Sequence, residues 1–300
     1  MKFTKVALYT SVVMLGAATI FMACKKDSSS TTTTTTPASP QLVFMFKFDS
    51  TQARLNNLGQ PAALPAGHSG QSPKFNLMST HYVELAQNNY TALGAGQVLY
   101  RAPEVGSGSN LAIDFSKSIN VGQGQVFLSV PLSSIAAGSY QWLRVSLAYQ
   151  NYDIKFSAPG FGIYGATGTI ASFIGFNTYI ASYKIKDSTV KVNANKAQGY
   201  WGFEDQWGVV TGQSTGGATT VPNPLFATSP IPAGSCVVTG QFASAFTVTG
   251  SETKNDTIIV SLSTNKSFEW KDANMNGQYE PLNGDTVVDM GVRGLVPIVK

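Results

Sequence analysis

Alternation of apolar with other side chains, two residues to the repeat, is the feature that most restricts what this chain can fold into. Leu42, Phe44, Phe46 and Phe48 alternate with Val43, Met45, Lys47 and Asp49. From Ser139 to Phe156, Leu143, Val145, Leu147 and Tyr149 face one way, and Trp142, Arg144, Ser146 and Ala148 the other. In Phe75–Leu85, His81, Val83 and Leu85 share a face, with Tyr82 and Glu84 opposite. Shorter runs follow at Gln97–Ala102, Leu111–Phe115, Val126/Leu128/Val130, Ile258/Val260/Leu262 and Val287–Val299. Lys184–Val192 reads as a solvent-facing strand. A period of two places alternate side chains on opposite faces of a strand. No stretch holds a long, clear period of 3.6, and Gly, Pro and Asn punctuate the runs. The expectation is an all-β, antiparallel β-sandwich, immunoglobulin- or jelly-roll-like, with long loops at 55–75 and 211–235. Residues 160–181 are Gly-rich and apolar, and the pattern leaves helix and strand both open there.

Composition narrows the class further. Charged residues make up 12% and aromatics 11%. Disorder goes with high charge and few aromatics, so the body reads as packed. The formal net charge is only +4 and no basic run exists, so no nucleic-acid partner is expected.

The amino-terminal residues carry an address. Lys2 and Lys5 precede an uncharged stretch from Val6 to Phe21. That stretch is shorter than the roughly 20 residues a spanning helix needs and has the pattern of a secretory signal. Phe21-Met22-Ala23-Cys24 resembles the lipobox of bacterial lipoproteins. The resemblance implies cleavage before Cys24, acylation of that residue, and partnership with a membrane through the lipid. Lys25-Lys26-Asp27 resembles the short charged signals that send Gram-negative lipoproteins to the outer surface. A cleaved signal that merely precedes a cysteine, and an uncleaved anchor, are the alternatives. The expected layout is a signal peptide over 1–23, a lipidated Cys24 with a Ser/Thr/Pro linker over 24–40, and a β-sandwich over 41–300, with a subdivision left open near 155–195. The expected place is the cell envelope, at the outer membrane and facing outward. With Cys24 acylated, no internal disulfide is expected, and Cys236 reads as a small buried hydrophobe.

Four constellations carry candidate chemistry. Asp272, Asn274 and Asn276 stand at positions 1, 3 and 5 of a loop with Gly277 at 6, Gln278 at 7 and Glu280 at 9. That spacing aims alternate oxygens at a hard cation, which makes calcium the candidate cofactor. Position 12 is Asn283 rather than Glu, with Asp285 nearby. The competing reading is a β-hairpin turning at Asn276-Gly277, with Trp270 and Tyr279 as a cross-strand pair. Tyr200, Trp201, Glu204 and Trp207 pair rings with polar groups, as a glycan site does; the same rings also suit a core. His68 and His81, with Met45 and Met78, are candidate ligands for copper or zinc, against the plainer reading of singly hydrogen-bonded histidines. Gly212–Gly216 has the letters of a nucleophile elbow without a helix to follow.

Three segments in order resemble the MbnP-like family of periplasmic and surface β-proteins tied to copper. They are Met78–Leu85, Ile135–Val145 and Gln198–Phe203. Leu147-Ala148-Tyr149 stands where that family has an acidic residue, so no site residue is carried over. The expectation for function is a membrane-anchored, non-catalytic binding or structural protein with calcium as a structural ion and a glycan or protein as ligand. The alternative is a carbohydrate-binding or copper-associated accessory protein.

Overall fold

The computed structural model describes residues 39–214, 231–232 and 234–300. The signal, Cys24 and nearly all of the linker fall outside them. Residues 39–300 form one compact unit. Its strands are β1 (Gln41–Asp49), β2 (His68–Gln71), β3 (Lys74–Ala86), β4 (Gln97–Arg101), β5 (Glu104–Val105), β6 (Ala112–Asp114), β7 (Val126–Pro131), β8 (Gly138–Ala158) and β9 (Ile163–Phe173). They continue as β10 (Asn177–Lys184), β11 (Thr189–Ala197), β12 (Tyr200–Asp205), β13 (Gly208–Gln213), β14 (Cys236–Val248), β15 (Asp256–Ser263), β16 (Phe268–Lys271), β17 (Thr286–Met290) and β18 (Gly294–Val299). Among the described residues the helical turns are short 3-10 turns of three residues. The fold is an all-β sandwich with long loops, the class that the alternation implies.

One strand ties the sheets together. β3 lines one edge of β8, from Lys74 opposite Asp153 to Ala86 opposite Trp142. Its other edge is shared: β14 takes Gly138–Leu147 and β9 takes Tyr149–Ala158. β12 and β13 extend the sheet beyond β9, and β4 extends it beyond β3.

A second sheet, ordered β18-β15-β1-β7, packs on one face. β1 runs parallel to β15 and antiparallel to β7. Leu42, Phe44 and Phe46 are buried, as their alternation requires. Phe46 stacks on Phe127 at 4.2 Å, and Phe48 on Phe75 at 5.0 Å. The apolar face of β8 completes this core with Leu143, Val145 and Leu147.

The opposite face of β8 is also covered. A third sheet, ordered β11-β10-β6-β5, lies there. Ile180 and Tyr183 pack on Tyr149 and Phe173. Every residue from Leu143 to Tyr152 is therefore buried, including Arg144, Ser146 and Asn151, whose polarity suggests a wet face. A three-stranded sheet, β17-β16-β2, closes one end.

Five local readings change. Register shifts between β3 and β8 turn Tyr149 away from the face of Leu143, Val145 and Leu147 toward the third sheet. They also turn His81 away from the face of Val83 and Leu85 toward Glu104 and Phe176. Residues 160–181 are strands, β9 and β10. Lys184–Val192 is no single strand: it holds the β10–β11 turn, where Ile185 N–H donates to Ser188 O at 3.0 Å. In β7 the register slips beside Phe44–Met45, so Phe127 and Leu128 are buried together while Val126 is exposed. A bulge places two residues opposite one, which defeats a strict alternation.

Candidate functional site

Alternation along β12 divides the candidate aromatic set between two surfaces. Tyr200, Gly202 and Glu204 face the third sheet. The Tyr200 ring lies 5.9 Å from Phe173 and 6.0 Å from Tyr183, and the Lys196 ammonium sits 4.8 Å above it. The Glu204 carboxylate accepts hydrogen bonds from Lys186 N–H at 2.8 Å, Asp187 N–H at 3.1 Å and Ser188 Oγ at 2.8 Å. Burial works against its charge, but these donors hold its carboxyl below the usual range. Glu204 thus fastens the β10–β11 turn. Trp207 sits at the tip of the β12–β13 hairpin, 55% exposed, edge-on to Phe156.

Trp201, Phe203 and Asp205 face the other way, into a cavity of about 590 Å³. Ile154, Phe156 and Ile170 form its wall on β8 and β9. Phe268, Val287 and Met290 form the wall on β16 and β17, and Tyr279, Pro281 and Leu282 come from the loop between those strands. Two glycines seat the rings. A Cβ on Gly212 would lie 2.5 Å from the Trp201 indole, and one on Gly168 would lie 2.1 Å from the Phe203 ring. Each ring therefore lies on the bare backbone of a neighbouring strand and lines the cavity.

The 272–285 loop is folded around its own carboxylates. Asp272 accepts from Asn276 N–H at 3.3 Å, from Gly277 N–H at 2.8 Å and from Ser69 Oγ at 2.7 Å. Burial opposes its ionisation, yet Ser69 and the backbone donors keep its carboxyl below the usual range. Glu280 accepts from the side-chain amides of Asn283 at 3.1 Å and Asn274 at 2.8 Å, which lower its carboxyl likewise. Asn274 Oδ1 and Asp272 Oδ1 both lie 3.3 Å from Asn276 N. The chain reaches this shape with positive φ at Met275 (57°) and Gly277 (74°). A non-glycine residue there is strained, and such strain clusters at functional sites.

Gln278 turns its amide oxygen outward to Ser157 Oγ at 3.1 Å, so only its backbone carbonyl remains for the loop. Asp285 closes the loop, accepting from Ala273 N–H at 2.9 Å and Glu280 N–H at 2.7 Å. Asn276-Gly277 is not a two-strand hairpin turn, because β16 pairs with β17 and β2 instead. Trp270 and Tyr279 do touch, at 5.5 Å. Among the described residues no group of three His, Cys, Asp or Glu side chains is arranged to hold a metal. A cation in this loop would rest on amide and backbone oxygens as much as on Asp272 and Glu280.

The histidines are not brought together. His68, on β2, meets Glu269 at 2.5 Å, and the fully buried His81, on β3, meets Glu104 at 2.8 Å. Met78 is fully buried in the main core. Ser214 ends β13 with its hydroxyl 3.6 Å from the Met290 sulfur; Thr215 and Gly216 lie outside the described residues.

Sequence reading missed the ionic cluster behind the cavity floor. Glu269 bridges Arg54 and His68, with Arg293 3.5 Å away, and Arg293 pairs with Asp289. These residues are scattered from 54 to 293, and only strand pairing assembles them. No protein-family model, curated protein or solved structure matches the chain.

Asp289 makes this cluster testable. Burial, with Glu269 adding to it, pushes its carboxyl up to about 7 against the pull of Arg293 and Arg54. The folded state then keeps a proton that the unfolded chain loses near pH 4. The stability this group contributes is full below pH 4 and is lost as pH rises through about 7. Asp289→Asn should remove that slope, and urea titrations at pH 4, 5.5 and 7.5 will show whether it does.

Proposed function

We propose that this protein is an envelope lipoprotein carrying a non-catalytic binding domain on a lipid tether. The observation that carries the binding role is the cavity beneath Trp201 and Phe203. Its volume falls within the roughly 300–1,000 Å³ of small-molecule sites. Among the described residues its lining holds one carboxylate, Asp205, and no imidazole, thiol or lysine. Such a lining offers surface for binding and lacks a paired nucleophile and base.

The tether reading rests on Phe21–Cys24 and on the Ser/Thr/Pro run behind them. It agrees with the way the domain begins. Pro40 O accepts from Leu132 N–H at 2.9 Å, close to the start of β8. The cavity lies against Ile154 and Phe156 near the far end of that strand, about 60 Å of extended chain away.

Calcium is the second reading, favoured by the left-handed Met275 and the convergence of Asp272 and Asn274 oxygens on one backbone amide. The ion would be structural, fixing the loop that supplies Tyr279, Pro281 and Leu282 to the cavity wall. The glycan reading has less support, since Tyr200 and Glu204 face away from Trp201. The copper reading has less as well, since each histidine is engaged by its own carboxylate.

Mass spectrometry of the mature protein should find residue 24 at the amino terminus with acyl chains attached, and Cys24→Ala should leave residues 1–23 on the chain with no acyl mass. A bare Cys24 thiol would overturn the tether. For calcium, saturation at about 100 times Kd adds roughly 2.7 kcal/mol. The melting midpoint should then rise by roughly 5–10 °C over the chelated sample; an unchanged midpoint would remove the ion from this account.

A further inference from the structure

We infer that the cavity takes an amphiphile whose apolar body carries an ammonium head. This rests on the reading of the cavity as a binding site and adds the chemical class of the ligand. Three features of the cavity point to this class.

The first is size and polarity. About 590 Å³ holds about twenty water-sized groups at about 30 Å³ each. That is room for an alkyl chain or a small ring system. The walls are apolar apart from Asp205, Ser214, Thr286 and the Tyr279 hydroxyl. A sugar would bury hydroxyls here with few partners, at a cost for each one left unpaired.

The second is the aromatic surface. Trp201 and Phe203 lie over Gly212 and Gly168 and line the cavity, with Phe156 edge-on to Phe203 at 5.4 Å. Phe156, Phe268 and Tyr279 add three more rings. The face of an aromatic ring carries the negative end of its quadrupole, so it attracts cations and is the usual surroundings of a quaternary ammonium.

The third is charge. Among the described residues, Asp205 is the one formally charged residue of the lining. Its Oδ1 is occupied, accepting from Trp207 N–H at 2.8 Å and Gly208 N–H at 3.1 Å. Its Oδ2 accepts no hydrogen bond from the described residues. Behind Tyr279 and Leu282, residues 272–285 include Asp272, Glu280 and Asp285 and no Lys or Arg. A calcium ion in that loop would offset those three carboxylates, leaving Asp205 to set the sign. A fatty acid would bring its carboxylate beside Asp205 without a cation to pair with, which is unfavourable in a dry site.

The test uses residues 25–300, which include the whole compact unit 39–300 and carry neither the apolar signal nor the lipid, so no detergent is needed. Isothermal titration calorimetry compares dodecyltrimethylammonium, dodecanoate and maltohexaose, each below any micelle concentration. The ammonium probe should bind at least tenfold more tightly than dodecanoate. Asp205→Asn keeps the Oδ1 acceptor for the hairpin turn and removes the charge; it should weaken the ammonium probe roughly tenfold with the melting midpoint unchanged. Gly212→Ala, whose methyl displaces the Trp201 indole, should weaken it too. Equal binding of dodecanoate, or an Asp205→Asn variant that binds the ammonium probe as tightly as the parent, would overturn the inference. Maltohexaose binding without either amphiphile would also overturn it, while leaving the binding role of the cavity intact. No heat from any probe would count against both.

Discussion

The structure depends on a single strand that has no solvent face along its middle. From Leu143 to Tyr152, β8 is buried on both sides. Its two edges are hydrogen-bonded to three strands. Such a strand must satisfy its polar side chains internally, because an unpaired buried polar group is costly. The fold meets this in part with long-range pairings, although the Ser146 hydroxyl and Arg144 Nε have no hydrogen-bond partner among the described residues. Arg144 pairs with the fully buried Glu84 and donates to Thr91 O. Glu84 in turn accepts from the backbone N–H groups of Gly94 and Gly96. The pair fastens the loop between β3 and β4 onto the central sheet. Asn151 donates to Ile185 O at 2.8 Å, fixing the β10–β11 turn. Polar residues of β8 thus hold the β3–β4 loop through Arg144 and the third sheet through Asn151.

The candidate site follows from the same layering. β12 adds to the central sheet beyond β9, so its alternate residues are shared between the third sheet and the cavity. Glu204 and Tyr200 become part of the joint between layers; Trp201, Phe203 and Asp205 become the lining. The 272–285 loop is held over the end of β8 by Ser157 N–H, which donates to Tyr279 O at 2.8 Å. Spine and cavity wall are therefore mechanically one piece.

What could be read in advance was set by short-range rules. The alternation of Leu42–Phe48 placed β1 and its buried face correctly, and Ile258, Val260 and Leu262 did so for β15. Both strands have the regular spacing that period-two reasoning needs. Arg144 and Ser146 misled, because a polar face buried beneath other chain segments reads like a polar face in water. Phe127 was hidden by a bulge. Of the residues 200–207, the alternation could have shown that Trp201 and Glu204 point apart, once β12 was recognised as a strand. The contribution of Ile154, Met290 and Leu282 to one cavity was beyond reach, since pairing between distant segments brings them together. The same holds for Arg54, Glu269 and Arg293.

Amide hydrogen exchange of the folded protein tests the central claim most directly, since it reports the free energy of opening residue by residue. The amides of Leu143–Tyr152 should exchange only through global unfolding, with the slowest rates in the molecule. Those of the 272–285 loop and of the hairpin tip at Trp207 should exchange far faster, through local opening. If the middle of β8 exchanged as fast as those loops, it would not be the doubly covered spine on which the three layers and the cavity depend.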